Sequence, residues 1–122
     1  MIETALRIDP GLAPAHSVSG SLYGAEGNLA AAVEEFKTAA RLQPTPAFYI
    51  NLSSFLQFQG NLAEAITAAQ EAVRLAPEIG MTHNRLGSVL QLRGDLASAE
   101  SEFRKGCDLG YNAACDNLKK LP

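Results

Sequence analysis

Gly27-Asn28-Leu29-Ala30, Gly60-Asn61-Leu62-Ala63 and Gly94-Asp95-Leu96-Ala97 are three versions of one turn, with glycines 33 and 34 residues apart. Pro10, Pro44 and Pro77 form a second ladder with steps of 34 and 33. Pro10 to Gly27 and Pro77 to Gly94 each span 17 residues, whereas Pro44 to Gly60 spans 16. Both ladders therefore lose a residue in the same stretch, best placed in Pro44-Thr45-Pro46. An irregularity that two independent ladders locate together marks a tandem repeat, and a period near 34 belongs to stacked supersecondary units.

The signals inside each unit agree on helix, tight turn, helix, stop. Glycine ends the first helix in the left-handed conformation that it adopts without a Cβ clash. The Asn or Asp that follows is an N-cap for the second helix, and Asn61 with Glu64 has capping-box spacing. Arg41-Leu42-Gln43-Pro44 and Arg74-Leu75-Ala76-Pro77 put a cation in a last turn and then a proline that stops the helix. The expected helices are 13–26 with 29–42, 46–59 with 62–75, and 80–93 with 96–109, followed by a short helix at 112–120 after the Gly110 break. The fold class is all-α: an α-solenoid of three helical hairpins with a C-terminal capping helix.

Antiparallel helices across a short turn pair residues whose numbers add to a constant. A constant of 52 pairs Gly20 with Ala32 and His16 with Phe36. One of 118 pairs Ser53 with Ala65 and Tyr49 with Ala69, and one of 186 pairs Gly87 with Ala99 and His83 with Phe103. Small faces small in mid-hairpin, and a larger Tyr49 is expected to compensate for Ala69 where the other units have His with Phe.

Composition narrows the function. The 122 residues are 47% hydrophobic and 19% charged, enough for a packed soluble chain. Ten Lys+Arg against thirteen Asp+Glu, net −3, leave no basic surplus, so neither nucleic acid nor an anionic membrane is the expected partner. No apolar run reaches the roughly 20 residues of a membrane span, and MIETALRIDP lacks the regions of a signal peptide.

The repeat resembles the tetratricopeptide repeat family. Unit one, residues 13–44, matches through Gly20, Tyr23, Ala32, Phe36, Ala39 and Pro44; unit two, 46–77, through Tyr49, Leu52, Leu56, Ala65, Ala72 and Pro77. Unit three, 80–110, matches through Leu86, Gly87, Leu90, Ala99 and Phe103. His16, Ser19, Ser53, Ala69, His83 and Gly106 depart from the pattern without removing the hairpin logic. Residues 1–10 match only the tail of a preceding unit, in register at Ala5 and Pro10. Either this is a segment cut from a longer array, the reading favoured, or the protein carries a half-unit as an N-terminal cap; the half-unit exposes a seam, Ile2, Leu6 and Ile8, able to drive self-association. Residues 103–115 resemble the Sel1-like repeats, whose cysteine-rich bacterial members join facing helices through two cysteines eight apart.

Cys107 and Cys115 accordingly read either as a disulfide in an oxidising compartment or as two reduced thiols packed as small hydrophobes. The cytoplasm is favoured for thiols, the periplasm or exterior for a bridge. No metal site is expected, because a third and fourth ligand are missing. His16 and His83 sit at equivalent hairpin positions and read as packing. Glu34–Glu35 and Glu100 with Glu102 read as solvated pairs with Lys37 and Arg104. No catalytic constellation and no cofactor is expected.

The resemblance implies that function lies in a concave groove lined by the first helices. It carries the groove positions over to Ser17, Val18 and Ser21, to Ile50, Asn51, Ser54 and Gln57, and to Asn84, Arg85, Ser88 and Gln91. The branch of the family that grips chaperone C-terminal carboxylates uses two Lys, two Asn and one Arg; Asn51 and Arg85 match, whereas Ser17, Ser21 and Met81 hold the other places. That ligand is therefore not expected. The expectation is a non-catalytic module that binds a protein or peptide through Asn51 and Arg85. The alternatives are a regulatory or targeting segment of a multidomain enzyme, and a secreted Sel1-like protein.

Overall fold

The computed structural model describes residues 11–122. Among these the chain forms seven helices: α1 (Ala13–Ala25), α2 (Leu29–Leu42), α3 (Pro46–Phe58), α4 (Leu62–Leu75), α5 (Gly80–Arg93), α6 (Leu96–Asp108) and α7 (Asn112–Lys120). The expected half-unit at 1–10, and the self-association assigned to it, lie outside the described residues. α1, α3 and α6 stop one residue before their expected ends, because Glu26, Gln59 and Leu109 belong to the turns. The link from α2 to α3 is Gln43 to Thr45, one residue shorter than that from α4 to α5, which accounts for the irregular ladder step.

Gly27, Gly60 and Gly94 have φ of 81°, 82° and 95°, the left-handed region that closes each hairpin. Asn28 and Asn61 then cap α2 and α4, accepting from Ala31 N at 3.2 Å and Glu64 N at 3.4 Å. Asp95 does not cap α6, contrary to expectation: its side chain turns to Arg93, whose Nε donates to Oδ2 at 2.8 Å. Thr45, read as plain turn, caps α3 by accepting from Phe48 N at 3.4 Å.

The helices pack α1 on α2, α2 on α3 and so on along the chain, and α3 also touches α5 and α5 touches α7. The direct contact of α3 with α5, which the second helices α2 and α4 do not match, puts the first helices on the inner layer of the curve. The outer helices α2 and α4 reach each other through long side chains, such as Lys37 Nζ with Glu64 at 3.6 Å. Between the layers lie Val33, Phe36, Leu52, Leu56, Ile66, Leu86, Val89, Leu90 and Phe103.

At mid-hairpin Ser53 meets Ala65 as expected, and Ala32, Ala65 and Ala99 are all fully buried. A Cβ on Gly20 would stand 2.8 Å from the Phe36 ring, and one on Gly87 would stand 2.7 Å from that of Phe103. The outer ring therefore compensates for the missing side chain on glycine, and not for the size of His16 or His83. Unit two inverts the exchange: Ala69 removes the ring, and Ser53 fills the place and donates from Oγ to Ala65 O at 2.8 Å. Gly80 opens α5 as expected, with Gly106 O and Tyr111 Cβ at 2.9 and 2.6 Å from where its Cβ would be.

The histidines have partners that sequence reading placed in solvent. His16 Nδ1 lies 2.8 Å from Glu35 Oε2, and His83 Nδ1 lies 2.8 Å from Glu102 Oε1. His83 Nε2 also donates to Pro77 O at 2.7 Å, since a carbonyl can only accept. Glu35 and Glu102 are thus not members of solvated acid pairs; they tie the first helix of a hairpin to its second. Glu34 and Glu100 do pair with Lys37 and Arg104, at 3.9 and 2.8 Å.

α7 closes the stack. Ala114 is fully buried, a Cβ on Gly106 would come within 2.9 Å of it, and Leu118 and Leu121 pack on the core. A disulfide joins Cys107 to Cys115 across the turn, their Cα atoms 4.6 Å apart. Replacing both cysteines by alanine is expected to cost about 2.5 kcal/mol, the loop-closure value for so short a ring. The loss should show as faster amide exchange in α7 with α1 to α4 unchanged.

Two serines give an opposed pair of outcomes. Ser19, where the other units carry Leu52 and Leu86, is fully buried and its Oγ has no hydrogen-bond partner. Ser19→Ala removes an uncompensated polar group and should raise stability by about 0.5–1 kcal/mol in urea unfolding. Ser53→Ala deletes the bond to Ala65 O and should lower it by about 1 kcal/mol.

Candidate functional site

α1, α3 and α5 contain no Asp or Glu at all. The acids of the three hairpins lie instead on α2, α4 and α6 and in the turns. The inner layer is therefore neutral apart from His16, His83, Arg85 and Arg93. Arg93 is taken by Asp95 at 2.5 Å. Arg85 has no carboxylate partner among the described residues.

Arg85 is the centre of the site. It projects from α5 to α3, where Nη1 donates to Ser54 Oγ at 3.1 Å and Nη2 to Gln57 Oε1. Ser54 Oγ in turn donates to Ile50 O at 3.1 Å, which leaves its lone pairs for the guanidinium. Nε is buried without a partner. Burial pushes the Arg85 guanidinium below its ordinary value, since removing it from water penalises the charged form. Two neutral oxygens hold the fork in place without cancelling its charge, so the site can accept an anion.

The other expected groove residues surround this contact. Asn51 and Ser21 are exposed, Ser17, Ser88 and Gln91 are half-buried, and none of these side chains bonds to another described residue. Asn84 is committed in part, with Asn117 Nδ2 of α7 donating to its Oδ1 at 2.8 Å. Val18 is 51% exposed on α1. The expected set is thus brought to one layer, but only Ser54, Gln57 and Arg85 form a connected cluster.

Phe58 and Leu92 were missed. They are 65% and 54% exposed, at the C-terminal ends of α3 and α5. Each lies seven residues beyond a groove residue, Asn51 or Arg85, and so shares its helix face. That spacing was the available signal. Phe58 is also held: its ring is edge-on to Phe55 at 6.2 Å, and Phe55 stacks on Phe36 at 5.4 Å. Gly24 makes room for this stack, since a Cβ there would meet the Phe55 ring at 2.4 Å.

A second recess of about 220 Å³ lies between the hairpins, lined by Lys37, Leu52, Leu56, Glu64, Thr67 and Ala68. Its charges, Lys37 and Glu64, already face each other. Among the described residues no cluster of three or more His, Cys, Asp or Glu is arranged to hold a metal. None of the described helices is long and apolar enough to cross a membrane.

This architecture has close counterparts. The first tetratricopeptide domain of Spaghetti (RPAP3), solved bound to the HSP90 peptide SRMEEVD, superposes with a TM-score of 0.81 at 20% identity, over 89% of this chain and 91% of that one. The Sgt2 domain from Aspergillus fumigatus gives 0.83 at 19%, over 89% and 76%. In sequence, the chain is 37% identical over 104 residues to the TPR repeat-containing thioredoxin TTL4 of Arabidopsis thaliana, covering 84% of this chain and 15% of that protein. It is 30% identical over 102 residues to the heat shock protein STI1 of Saccharomyces cerevisiae, covering 76% and 17%. The chain thus spans about a sixth of the length of these two relatives. The tetratricopeptide repeat family matches residues 18–78 and, in a second frame, 56–114. Stacked helical hairpins of one period, matched in these two overlapping frames, place this chain in the tetratricopeptide repeat family.

Proposed function

We propose that the chain is a non-catalytic interaction module whose inner layer binds a peptide of a partner protein, and that the peptide is acidic. The observation that carries this is Arg85: a half-buried cation, oriented by Ser54 and Gln57, with no carboxylate of its own on an acid-free helix layer. A desolvated charge without a counter-ion favours the ligand that supplies one. Asn51, Ser88 and Gln91 offer neutral donors and acceptors to the backbone of such a peptide. The HSP90 peptide held by the Spaghetti domain is acidic, which agrees with this polarity. With Ser17, Ser21 and Met81 adding no charge, a ligand here meets one cation, not a cluster.

Gln57→Glu tests the reading. The substitution keeps the shape and gives Arg85 an internal carboxylate. It is expected to raise the melting temperature by a few degrees while lowering affinity for glutamate-bearing peptides about tenfold or more. Arg85→Gln should lower the same affinity, and glutamine-for-glutamate peptides should bind both variants and the parent alike. Undiminished binding of acidic peptides by Gln57→Glu overturns the proposal.

A second reading concerns context. The chain spans about a sixth of its relatives, one of which is described as a thioredoxin, so we also propose that it serves as the partner-binding segment of a larger protein. The disulfide between α6 and α7 supports an oxidising compartment and the Sel1-like character of residues 103–115. A mass difference of two hydrogens on reduction of protein taken from its native source checks this; free thiols there refute it.

A further inference from the structure

We infer that the recess between the first two hairpins is a binding site for a small arylalkylammonium ion, apart from the inner layer and independent of any peptide held there. Its apolar surface comes from Leu52 and Leu56 of α3 and Ala68 of α4. The one uncharged polar side chain in its wall, Thr67, already donates to Ala63 O at 3.2 Å. At about 220 Å³ the recess exceeds the roughly 150 Å³ of apolar cavity that takes up benzene, so a phenyl ring on a short stem matches its size.

The room arises from a substitution within the repeat. Ala68 holds the place of Glu35 and Glu102, which in the other two hairpins reach across to His16 and His83. Unit two has Tyr49 in place of the histidine and Ala68 in place of the acid, and the short side chain leaves the two leucines open to the outer face. At the next seam the equivalent positions carry Gln70, Ser98 and Glu102 instead of Lys37, Glu64 and Ala68. The charged rim does not recur there, and a longer side chain stands where the room was.

The rim decides the charge of the ligand. Lys37 Nζ lies 3.6 Å from Glu64 across the mouth and 3.9 Å from Glu34 on its own helix. One ammonium thus serves two carboxylates, neither of them at hydrogen-bond distance. A cation arriving at Glu64 lets Lys37 turn to Glu34, and every charge of the rim is then paired. An anion arriving at Lys37 would instead leave both carboxylates unpaired beside it. Arg41, one turn further along α2, is not part of the lining and does not alter this balance. With its ammonium at Glu64, the ligand's ring reaches down onto Leu52 and Leu56, where its apolar area leaves water.

The experiment titrates the whole chain with benzylammonium, benzyl alcohol and phenylacetate while its backbone amide resonances are followed by NMR. Benzylammonium is expected to bind in the millimolar range and to move the amides of Leu52, Leu56, Thr67 and Ala68. Benzyl alcohol should bind about two- to fivefold more weakly, the worth of one exposed ion pair, and phenylacetate more weakly still. Glu64→Gln should bring benzylammonium down to the level of benzyl alcohol while leaving the alcohol's own affinity unchanged. Ala68→Leu, which fills the recess, should weaken both ligands about tenfold. Glu64 lies at the surface, so its variant tests the charge independently of how the filled recess folds. Equal affinity for cation, alcohol and anion overturns the inference, as does an unchanged benzylammonium affinity in Glu64→Gln. Shifts confined to Asn51, Arg85 and Gln91 would put the ion in the inner layer and likewise overturn it, and so would the absence of any shift at tens of millimolar ligand.

Discussion

Everything in this stack depends on how closely two helices of a hairpin can approach. The approach is set where the outer ring of Phe36 or Phe103 lies on Gly20 or Gly87, with no Cβ between. Unit two reaches the same closeness by the reverse choice, a serine on the inner helix and Ala69 on the outer, with a hydrogen bond in place of the ring contact. Ring on glycine and hydroxyl on carbonyl fill the same gap with different chemistry. With the gap filled in every unit, α3 and α5 meet directly, and the inner surface is built around that contact.

That surface has been cleared of negative charge. The polar work that holds hairpins together is done by Glu35 and Glu102 from the outer helices, each meeting a histidine that points out from the inner one. The acid needed for each such tie therefore comes from the convex side. The same arrangement leaves Arg85 facing only neutral oxygens, in surroundings that weaken its hold on its proton without discharging it. A half-buried cation without a counter-ion is costly for the free protein, and its retention makes sense where a ligand completes it.

The repeat, the helix bounds and the glycine turns were legible because each rests on local chemistry recurring at a fixed period. What was not legible depended on the angle at which helices meet. Glu35 sits beside Glu34 and nothing in their order says which turns inward; only the hairpin geometry sends one to His16 and the other to Lys37. Asp95 has the composition of a cap, and it is lost to Arg93 because that cation stands two residues before it. Phe58 at a helix end reads as core until the neighbouring helix is seen to leave it uncovered. Gly24 and Gly106 face the next hairpin and the closing helix, contacts between units that a pairing rule within one hairpin cannot address.

Arg85 also joins structure to site in one contact. Its bonds to Ser54 and Gln57 cross from α5 to α3, so they help fix the register between neighbouring units as well as aim the guanidinium. At the other side of α5, Asn84 takes a bond from Asn117 on the disulfide-tied α7. Adjacent residues of one helix thus reach both neighbours in the inner layer. A ligand that closes on Arg85 then binds the stacked state better than one with its hairpins apart, and by mass action it must stabilise that stacking as it binds. The binding surface and the unit-to-unit interface are, at this point, the same set of hydrogen bonds.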